Sequence, residues 1–428
     1  MHRFSCTILI MSLLYSVLYA QPSSTSHSAD TLHFKLYDAE QLFLKNNLTL
    51  LAQKYNVDAV KAQIVQAKLF QNPNVNIEQG IYNQYTNKYF DLSKTGETAI
   101  ELDKEIHLAG QRNKNIKVAN YNYQMSEYGF YDLIRTLKYT LRTDFFNLYF
   151  FIQSDKVYDN EIKALQQLTA QYAIELPKGY VSRDELLRLQ AQLISLQGER
   201  ISIYSSIDDL EKEMALLLHT DSTYLVPDVN TDSLNAVSTS ALNYQQLLQT
   251  ATQNRSDVKA SQMNIQLQQE NLSLQRATGV PDLSLGLAYD RSGSYIPDYK
   301  ALTIGFDIPV FNRNQGNIAQ AKDYIQMSQI QFQSKQDSVN HEVQNAYKKT
   351  VEADNIYKSF PNTFAADYST EIIGVLDNFK KRNINMLQFL DFYDSYKQSM
   401  VQLYQLQSNR MDAFETLNFV TGKTLFPY

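Results

Sequence analysis

The chain has 428 residues, with 39 Lys and Arg against 45 Asp and Glu, so its formal net charge is only -6. No basic excess is available to neutralise phosphates, which argues against nucleic-acid binding. Glycine and proline number only 13 and 9, which favours a few long elements over the turn-rich chain of a compact enzyme. Cys6 is the only cysteine and the six histidines form no close pair, so we expect no disulfide, no metal site and no cofactor.

The N-terminus has the layout of a secretory signal. A charged start precedes an apolar stretch from about Phe4 to Leu18, and a small-residue cleavage site follows near Ala20. We therefore predict a cleaved signal peptide over residues 1–20 and a flexible leader over residues 21–35. A short transmembrane anchor is the alternative, although the stretch is shorter than the ~18 apolar residues that a span requires.

If the chain after the signal peptide enters a membrane, it must do so with β-strands. No later window approaches the length of an apolar helical span, so a membrane-embedded part would have to be a β-barrel. Cys6 lies inside the apolar stretch and lacks the leucine of a lipobox. We therefore expect no lipidation.

Corresponding segments recur about 200 residues apart and indicate a tandem duplication. The matched positions are Pro73 with Pro281, Leu102 with Ile304, and Gly179 with Arg382, at offsets of 208, 202 and 203 residues. We predict a first repeat over residues 36–226, a linker over 227–243 and a second repeat over 244–428.

Each repeat is predicted to begin with two amphipathic helices and to end in a long helical hairpin. The short helices are 38–46 with 48–71, and 244–254 with 256–278. The hairpin helices are 113–173 with 182–219, and 317–366, interrupted near Pro361, with 385–422. A helix of ~60 residues is about 90 Å long, so these rods exceed a globular domain. Their narrow apolar seams are typical of coiled-coil packing.

Two segments of each repeat alternate between apolar and polar residues, as strands with one apolar face do. The apolar positions include Val75, Ile77, Ile100 and Leu102 in the first repeat, and Leu283, Leu285, Leu302 and Ile304 in the second. A length of about ten residues suits a tilted membrane-spanning strand. Because closed barrels need about eight strands, four strands per chain demand an oligomer.

Three segments carry a resemblance to a known family. Residues 308–321, IPVFNRNQGNIAQA, are similar to the strand-to-helix junction of TolC-like outer-membrane efflux proteins, especially their heavy-metal, CzcC-like branch. The first-repeat counterpart carries Gly110 and Arg112 in the Gly-x-Arg element of that branch, and GYVSRDELLRLQAQL resembles the family's turn into its first return helix. The order of elements resembles the family over essentially the whole mature chain. The departures are Leu48 and Ser256, where proline is common, and Arg382, where glycine is usual.

The resemblance implies a mainly α protein with a membrane β-barrel. Three chains would form a twelve-stranded barrel in the outer membrane of a Gram-negative bacterium, in contact with its lipid and continued by a periplasmic tunnel of long helical hairpins. The implied function is a passive exit duct for heavy-metal cations, supplied by an inner-membrane pump of the RND type and a periplasmic membrane-fusion adaptor.

Other interpretations of the chain stay open. Drugs or a secreted polypeptide are alternative substrates, and a soluble periplasmic adaptor or scaffold is a remote alternative. The sequence has no catalytic motif on a plausible site, so we expect no enzyme.

The resemblance also assigns three groups of residues. The periplasmic gate comprises Gln388, Asp391 and Asp394. The adaptor-docking tips comprise Gly179, Tyr180, Val181, Lys381 and Arg382. The barrel lumen comprises Glu78, Glu101, Asp103, Glu105 and Asp307. The alternative for the gate residues is that they are solvated carboxylates on an exposed helix face. The alternative for the tips is an ordinary hairpin turn, and for the lumen residues a lumen that is merely polar. His107, on the polar side of its strand, is expected to be a solvated residue and not a metal ligand.

Overall fold

Long helices dominate the computed structural model, which describes residues 31–221, 224–292, 296–361, 363–426 and 428. The predicted signal peptide lies outside these residues. The first half comprises β1 (Thr31–Phe34), α1 (Leu36–Asn46), α2 (Leu48–Lys68), β2 (Asn74–Gln79), β3 (Tyr82–Asn83), β4 (Lys88–Tyr89), β5 (Thr98–Ile106), α3 (Gln111–Glu175) and α4 (Arg183–Leu218). The second half comprises β6 (Tyr224–Pro227), α5 (Thr231–Ala236), α6 (Tyr244–Asn254), α7 (Ser256–Thr278), β7 (Leu283–Asp290), β8 (Tyr299–Phe306), α8 (Gln315–Lys358), α9 (Phe364–Lys380) and α10 (Met386–Thr421).

Most predicted helix positions agree with the structure. α6 and α7 have the predicted bounds, and α3 exceeds its predicted range by two residues at each end. Pro73 separates α2 from β2, and Pro281 separates α7 from β7. Proline interrupts helices because it has no amide hydrogen to donate.

The outgoing helix of the second half differs from its prediction. It is predicted to reach residue 366, but α8 ends at Lys358, before Pro361, and a separate helix α9 continues to Lys380. α9 forms because its apolar face is covered: Phe379 is buried, and its ring stacks on that of Phe389 with centroids 4.3 Å apart.

Two connecting segments are more ordered than predicted. Within the expected flexible leader, residues 31–34 form β1, which pairs in parallel with β6 and buries Phe34 against the ring of Phe145. Within the expected linker 227–243, α5 buries Leu234 in the same core. Burial of these apolar side chains offsets the conformational entropy that would favour a disordered segment.

Four strands form one antiparallel sheet in the order β2-β5-β7-β8. They have 6, 9, 8 and 8 residues and are therefore shorter than the ten predicted. β2 is the shortest, because the chain beyond Gln79 turns into the separate hairpin of β3 and β4. β2 and β8 are the edges of the sheet, and β5 joins to β7, so strands from both halves meet at its centre.

The helices pack around two apolar clusters. The larger cluster includes Phe145, Phe146 and Phe414, and joins the middle of α3 and the C-terminal part of α10 to the short elements. The smaller cluster lies between the hairpins and includes Leu165, Leu189 and Phe389. The described part of the chain contains no helix with both the length and the apolar character of a membrane span.

Two buried arginines hold elements of the fold together, and the first of them joins the two halves. Arg142 of α3 donates two hydrogen bonds to Glu415 of α10, at 2.6 and 2.7 Å, and one to Glu40 of α1 at 2.6 Å. Arg410 of α10 pairs with Asp354 of α8 and donates to the carbonyl oxygens of Leu234 and Val237. Arg410 therefore attaches the segment around α5 to the long helices.

Candidate functional site

The antiparallel sheet has one apolar and one polar face. Strand pairing aligns Val75, Leu102, Leu287 and Leu302 across the four strands on the apolar face. The equivalent row on the polar face is Asn76, Glu101, Ala288 and Ala301. Val75, Leu287 and Leu302 are 57, 57 and 66% exposed in the single chain. An apolar surface of this kind requires a covering partner or lipid.

The predicted lumen residues mostly share the polar face. Glu101, Asp103 and Glu105 alternate along β5, and Glu78 of β2 lies opposite Ala99 on the same face. Asp307 follows the last residue of β8 and lies outside the sheet. Successive carboxylates on β5 are therefore about 7 Å apart along the strand.

Gly286 of β7 is required by its neighbours on the polar face. It pairs with Asp103 on one side and Thr303 on the other. A Cβ atom at this position would collide with the carboxylate of Asp103 and the hydroxyl of Thr303. The absence of a side chain lets these two polar groups lie close together over the strand.

His107 has a carboxylate partner from the other half of the chain. Its Nδ1 lies 2.9 Å from Asp282 Oδ2, and one donor atom each of Glu105, His107 and Asp282 lie within 4.8 Å of one another. His107 is exposed, as expected of a solvated residue, and in addition has this carboxylate partner. Sequence reasoning missed this contact because Asp282 is distant in the chain and only strand pairing places it beside His107.

The two hairpin tips contact each other. Arg382 Nη2 donates to the carbonyl oxygen of Tyr180 at 3.0 Å, while Lys381 pairs with Asp377 at 2.5 Å. Gly179 and Arg382, which correspond in the two repeats, both have left-handed backbone conformations, with φ of 75° and 63°. Of the remaining tip residues, Tyr180 is exposed and Val181 is half-buried.

Gln388, a predicted gate residue, caps its own helix. Its backbone N–H donates to Asn385 Oδ1 at 2.9 Å, and its Oε1 accepts from the Asn385 N–H at 3.1 Å. Ser182 and Glu185 form the same capping box at the start of α4. The spacing S/T/N-x-x-E/Q was visible in the sequence and could have identified this role.

The other two predicted gate residues differ in their partners. Asp394 pairs with Lys397 at 2.9 Å and accepts a hydrogen bond from Gln398 at 2.7 Å. Asp391 is exposed and has no hydrogen bond or ion pair within the described residues. Asp391 is therefore the free carboxylate at the start of α10.

A buried charge cluster next to these residues was not predicted. Lys397 is 4% exposed and pairs with both Glu199 of α4, at 2.8 Å, and Asp394. Glu161 of α3 is 3% exposed, and neither carboxylate oxygen has a hydrogen-bond partner in the part of the chain that the structure describes. Burial, with smaller contributions from Asp394 and Glu199, raises the pKa of Glu161 to about 8. Glu161 is therefore protonated at neutral pH.

Comparison with solved structures defines the class of this fold. The chain is similar to the Campylobacter jejuni CmeC outer membrane channel (15% identity, TM-score 0.72, covering 91% of this chain and 86% of that chain). It is similar to the open state of the Neisseria gonorrhoeae MtrE outer membrane channel (16% identity, TM-score 0.71, 91% and 89%) and to CusC (19% identity, TM-score 0.71, 91% and 92%). The fold is that of TolC-like outer-membrane channels, as the resemblance implies.

Sequence comparison gives a more specific assignment for part of the chain. Residues 247–355, which span α6 to most of α8, match the model of the outer membrane efflux protein family. No curated protein matches the chain in sequence. The match to this family therefore covers part of the second half of the chain.

Proposed function

We propose that the chain is one protomer of a homotrimeric exit duct in the outer membrane of a Gram-negative bacterium. The observation that carries the proposal is the four-stranded sheet, with its exposed apolar face and its two unpaired edges, β2 and β8. Four strands are too few to close a barrel, and open edges are not tolerated in lipid. Three copies, with β2 of each chain paired to β8 of the next, give a closed barrel of twelve strands.

An exposed seam on α4 supports the same assembly. Leu187, Ile194 and Ile201 recur every seven residues and are 51, 70 and 67% exposed in the single chain. A seven-residue apolar repeat is the seam of a coiled coil, which needs a second helix to cover it. We infer that a neighbouring copy supplies this helix and that the hairpins together form a periplasmic tunnel.

Disulfide cross-linking of the strand edges tests the closed ring. The only native cysteine, Cys6, lies in the predicted signal peptide, so introduced cysteines would be the only thiols of the mature protein. Cysteine pairs placed along the polar face of the two edges, beginning with Asn76→Cys in β2 and Thr303→Cys in β8, should yield a covalent trimer at one register. The matched control, Glu101→Cys in central β5, should yield none. Absence of inter-chain adducts at every register would contradict the ring.

We infer that transport is passive, because the proposed duct only continues a path begun by an inner-membrane pump. The hairpin tips are the proposed docking surface for the periplasmic adaptor: the Arg382–Tyr180 contact holds the two turns together and leaves the Tyr180 side chain exposed. Tyr180→Cys should cross-link to a cysteine-bearing adaptor tip. Tyr131→Cys, exposed in the first third of α3 and far from the tip, is the control. Equal yields at both positions would argue against docking at the tips.

Asp391 is the proposed centre of the periplasmic entrance, since Gln388 is used as a helix cap and Asp394 is paired with Lys397. Three copies of an unpaired carboxylate around one axis would attract cations and narrow the mouth. Asp391→Ala should raise single-channel conductance in planar bilayers and weaken cation preference. Asp337→Ala, an exposed change on α8, should leave both unchanged. Identical conductance of the two variants would remove the gate assignment.

The carboxylates on the polar face favour metal cations as substrate, with an RND-type pump as partner. Drugs and secreted polypeptides remain the alternatives. Growth of a deletion strain over a panel of metals and drugs distinguishes them: sensitivity confined to metals supports the cation duct, whereas sensitivity to drugs alone would contradict it.

A further inference from the structure

We propose that Glu105, His107 and Asp282 bind a divalent transition-metal cation such as Zn²⁺, at the junction between the sheet and the long helices. Strand pairing brings the three together. Ile106 pairs with Leu283, so the next residues along these antiparallel strands, His107 and Asp282, are neighbours. Glu105 lies two residues before His107 and so shares its face of the strand.

The donor set suits the ion. One imidazole nitrogen and two carboxylate oxygens are ligands that zinc accepts, at distances of about 2.0–2.2 Å, which places tetrahedral donors about 3.4 Å apart. The donor atoms of the three residues already lie within 4.8 Å of one another, and the closest pair, His107 Nδ1 and Asp282 Oδ2, is 2.9 Å apart. Binding therefore needs only small side-chain movements, with the metal replacing the proton shared by His107 and Asp282.

A second set of contacts orients Asp282. Its other oxygen, Oδ1, accepts hydrogen bonds from the Gln111 side chain at 2.8 Å and from the backbone N–H of Leu108 at 3.3 Å. These bonds leave Oδ2 directed at His107. Such outer contacts hold metal ligands in place and raise affinity in known sites.

Neighbouring cations do not occupy the position. Lys104 lies one residue from Glu105 and therefore on the opposite face of β5, where its Nζ is 5.8 Å from the Phe70 ring. The Arg112 guanidinium stacks on the same ring at 4.1 Å and donates to the Lys68 carbonyl oxygen. No basic side chain has an ion pair with Glu105 or Asp282 within the described residues other than His107 itself.

The duplication provides an internal comparison. At the offsets that relate the repeats, Glu105 corresponds to Asp307, His107 to Pro309 and Asp282 to Asn74. The three corresponding positions thus include one carboxylate but neither an imidazole nor a second carboxylate. The proposed site is a property of these three side chains and not of the fold at a strand-to-helix junction.

The three ligands leave a fourth position for water, as in open zinc sites. His107 and Glu105 are both exposed, so we expect an exchangeable ion and not a permanently bound one. The proposal does not depend on the exit-duct function or on its substrate, since the residues and distances that carry it belong to a single chain.

Calorimetric titration of Zn²⁺ into the purified full-length mature protein in detergent tests the site, with the visible absorption of bound Co²⁺ as a second readout. We expect one ion per chain. His107→Gln, which can still hydrogen-bond to Asp282, and Glu105→Gln should each weaken binding at least about tenfold. His341→Gln, an exposed change on α8, should bind as the unmodified protein does.

Two results would overturn the site: no saturable binding by the unmodified protein, or equal affinity in His107→Gln. Circular dichroism and size-exclusion chromatography of each variant identify misfolding. If His107→Gln misfolds, Glu105→Gln decides instead, because it removes no contact between the repeats, and equal affinity in that variant would overturn the site. No pump or adaptor enters the measurement, so its outcome is independent of the tests of the duct.

Discussion

Glu161 is predicted to destabilise the helical bundle at neutral pH, and Glu161→Gln should remove this cost. The side chain is almost fully buried and its oxygens have no partner within the described residues. Lys397, the cation that opposes the rise of its pKa, is already shared by Glu199 and Asp394. Burial raises the pKa of Glu161 from 4.5 to about 8. The folded protein therefore keeps a proton that the unfolded chain releases above pH 4.5.

The sign and size of the effect follow from proton linkage. The folded-state pKa is the higher one, so the stability of the unmodified protein falls as pH rises from 4.5 and levels off above about 8. Each pH unit in this range costs about 1.4 kcal/mol, which gives about 3 kcal/mol at pH 7. Glutamine has the same shape and does not titrate. Glu161→Gln should thus match the unmodified protein near pH 4 and exceed it by about 3 kcal/mol at pH 7.

Urea unfolding followed by far-UV circular dichroism, at several pH values between about 4 and 9, measures this difference. Burial also raises the pKa of Asp144 to about 7 and of Asp412 to about 6, but both are present in each protein, so the difference isolates Glu161. Glu175→Gln, on the same helix but half-exposed, is the control and should change stability by less than about 0.5 kcal/mol. A pH-independent difference would mean that folding does not shift the pKa of Glu161, and loss of stability at pH 7 in Glu161→Gln would mean that the carboxylate is ionised and paired; either result would refute the reasoning.

Two further predictions concern contacts that fix the helices. Arg410→Ala leaves the carboxylate of Asp354 buried without its main partner and should lower the free energy of unfolding by about 3 kcal/mol. Limited proteolysis should then cut within residues 227–243. Unchanged cleavage would contradict the role of Arg410 in attaching this segment to the long helices. Ser182→Ala and Asn385→Ala each remove one capping box and should each cost about 1 kcal/mol in urea unfolding. Clearly unequal losses would mean that the two caps are not equivalent.

Local sequence signals were sufficient for most of the architecture. Pro73 and Pro281 end helices wherever they occur, because a missing amide hydrogen has the same effect in any context. The alternation around Val75 and Leu285 predicted strands with one apolar face, because side chains alternate along any strand. The same signals predicted strands that are too long and missed β1, since a four-residue strand depends on the burial of Phe34 rather than on a periodic pattern.

The candidate sites were only partly accessible from sequence. The capping role of Gln388 was readable from its spacing to Asn385 and was missed. The contact between Arg382 and the Tyr180 carbonyl oxygen was not readable, because it joins the tips of two hairpins that are 202 residues apart in the chain. The same holds for the burial of Glu161, which on a polar, 65-residue helix looks like any exposed carboxylate.

The order, type and approximate length of the main helices and strands follow from local sequence, because turn residues and apolar periodicity act over a few neighbouring positions. Which side chains of the two halves meet depends on the three-dimensional packing. Pairing of β5 with β7 places His107 beside Asp282, and packing of α3, α4 and α10 encloses Glu161 next to Lys397. These contacts depend on register and on helix packing, which no local pattern in the chain encodes.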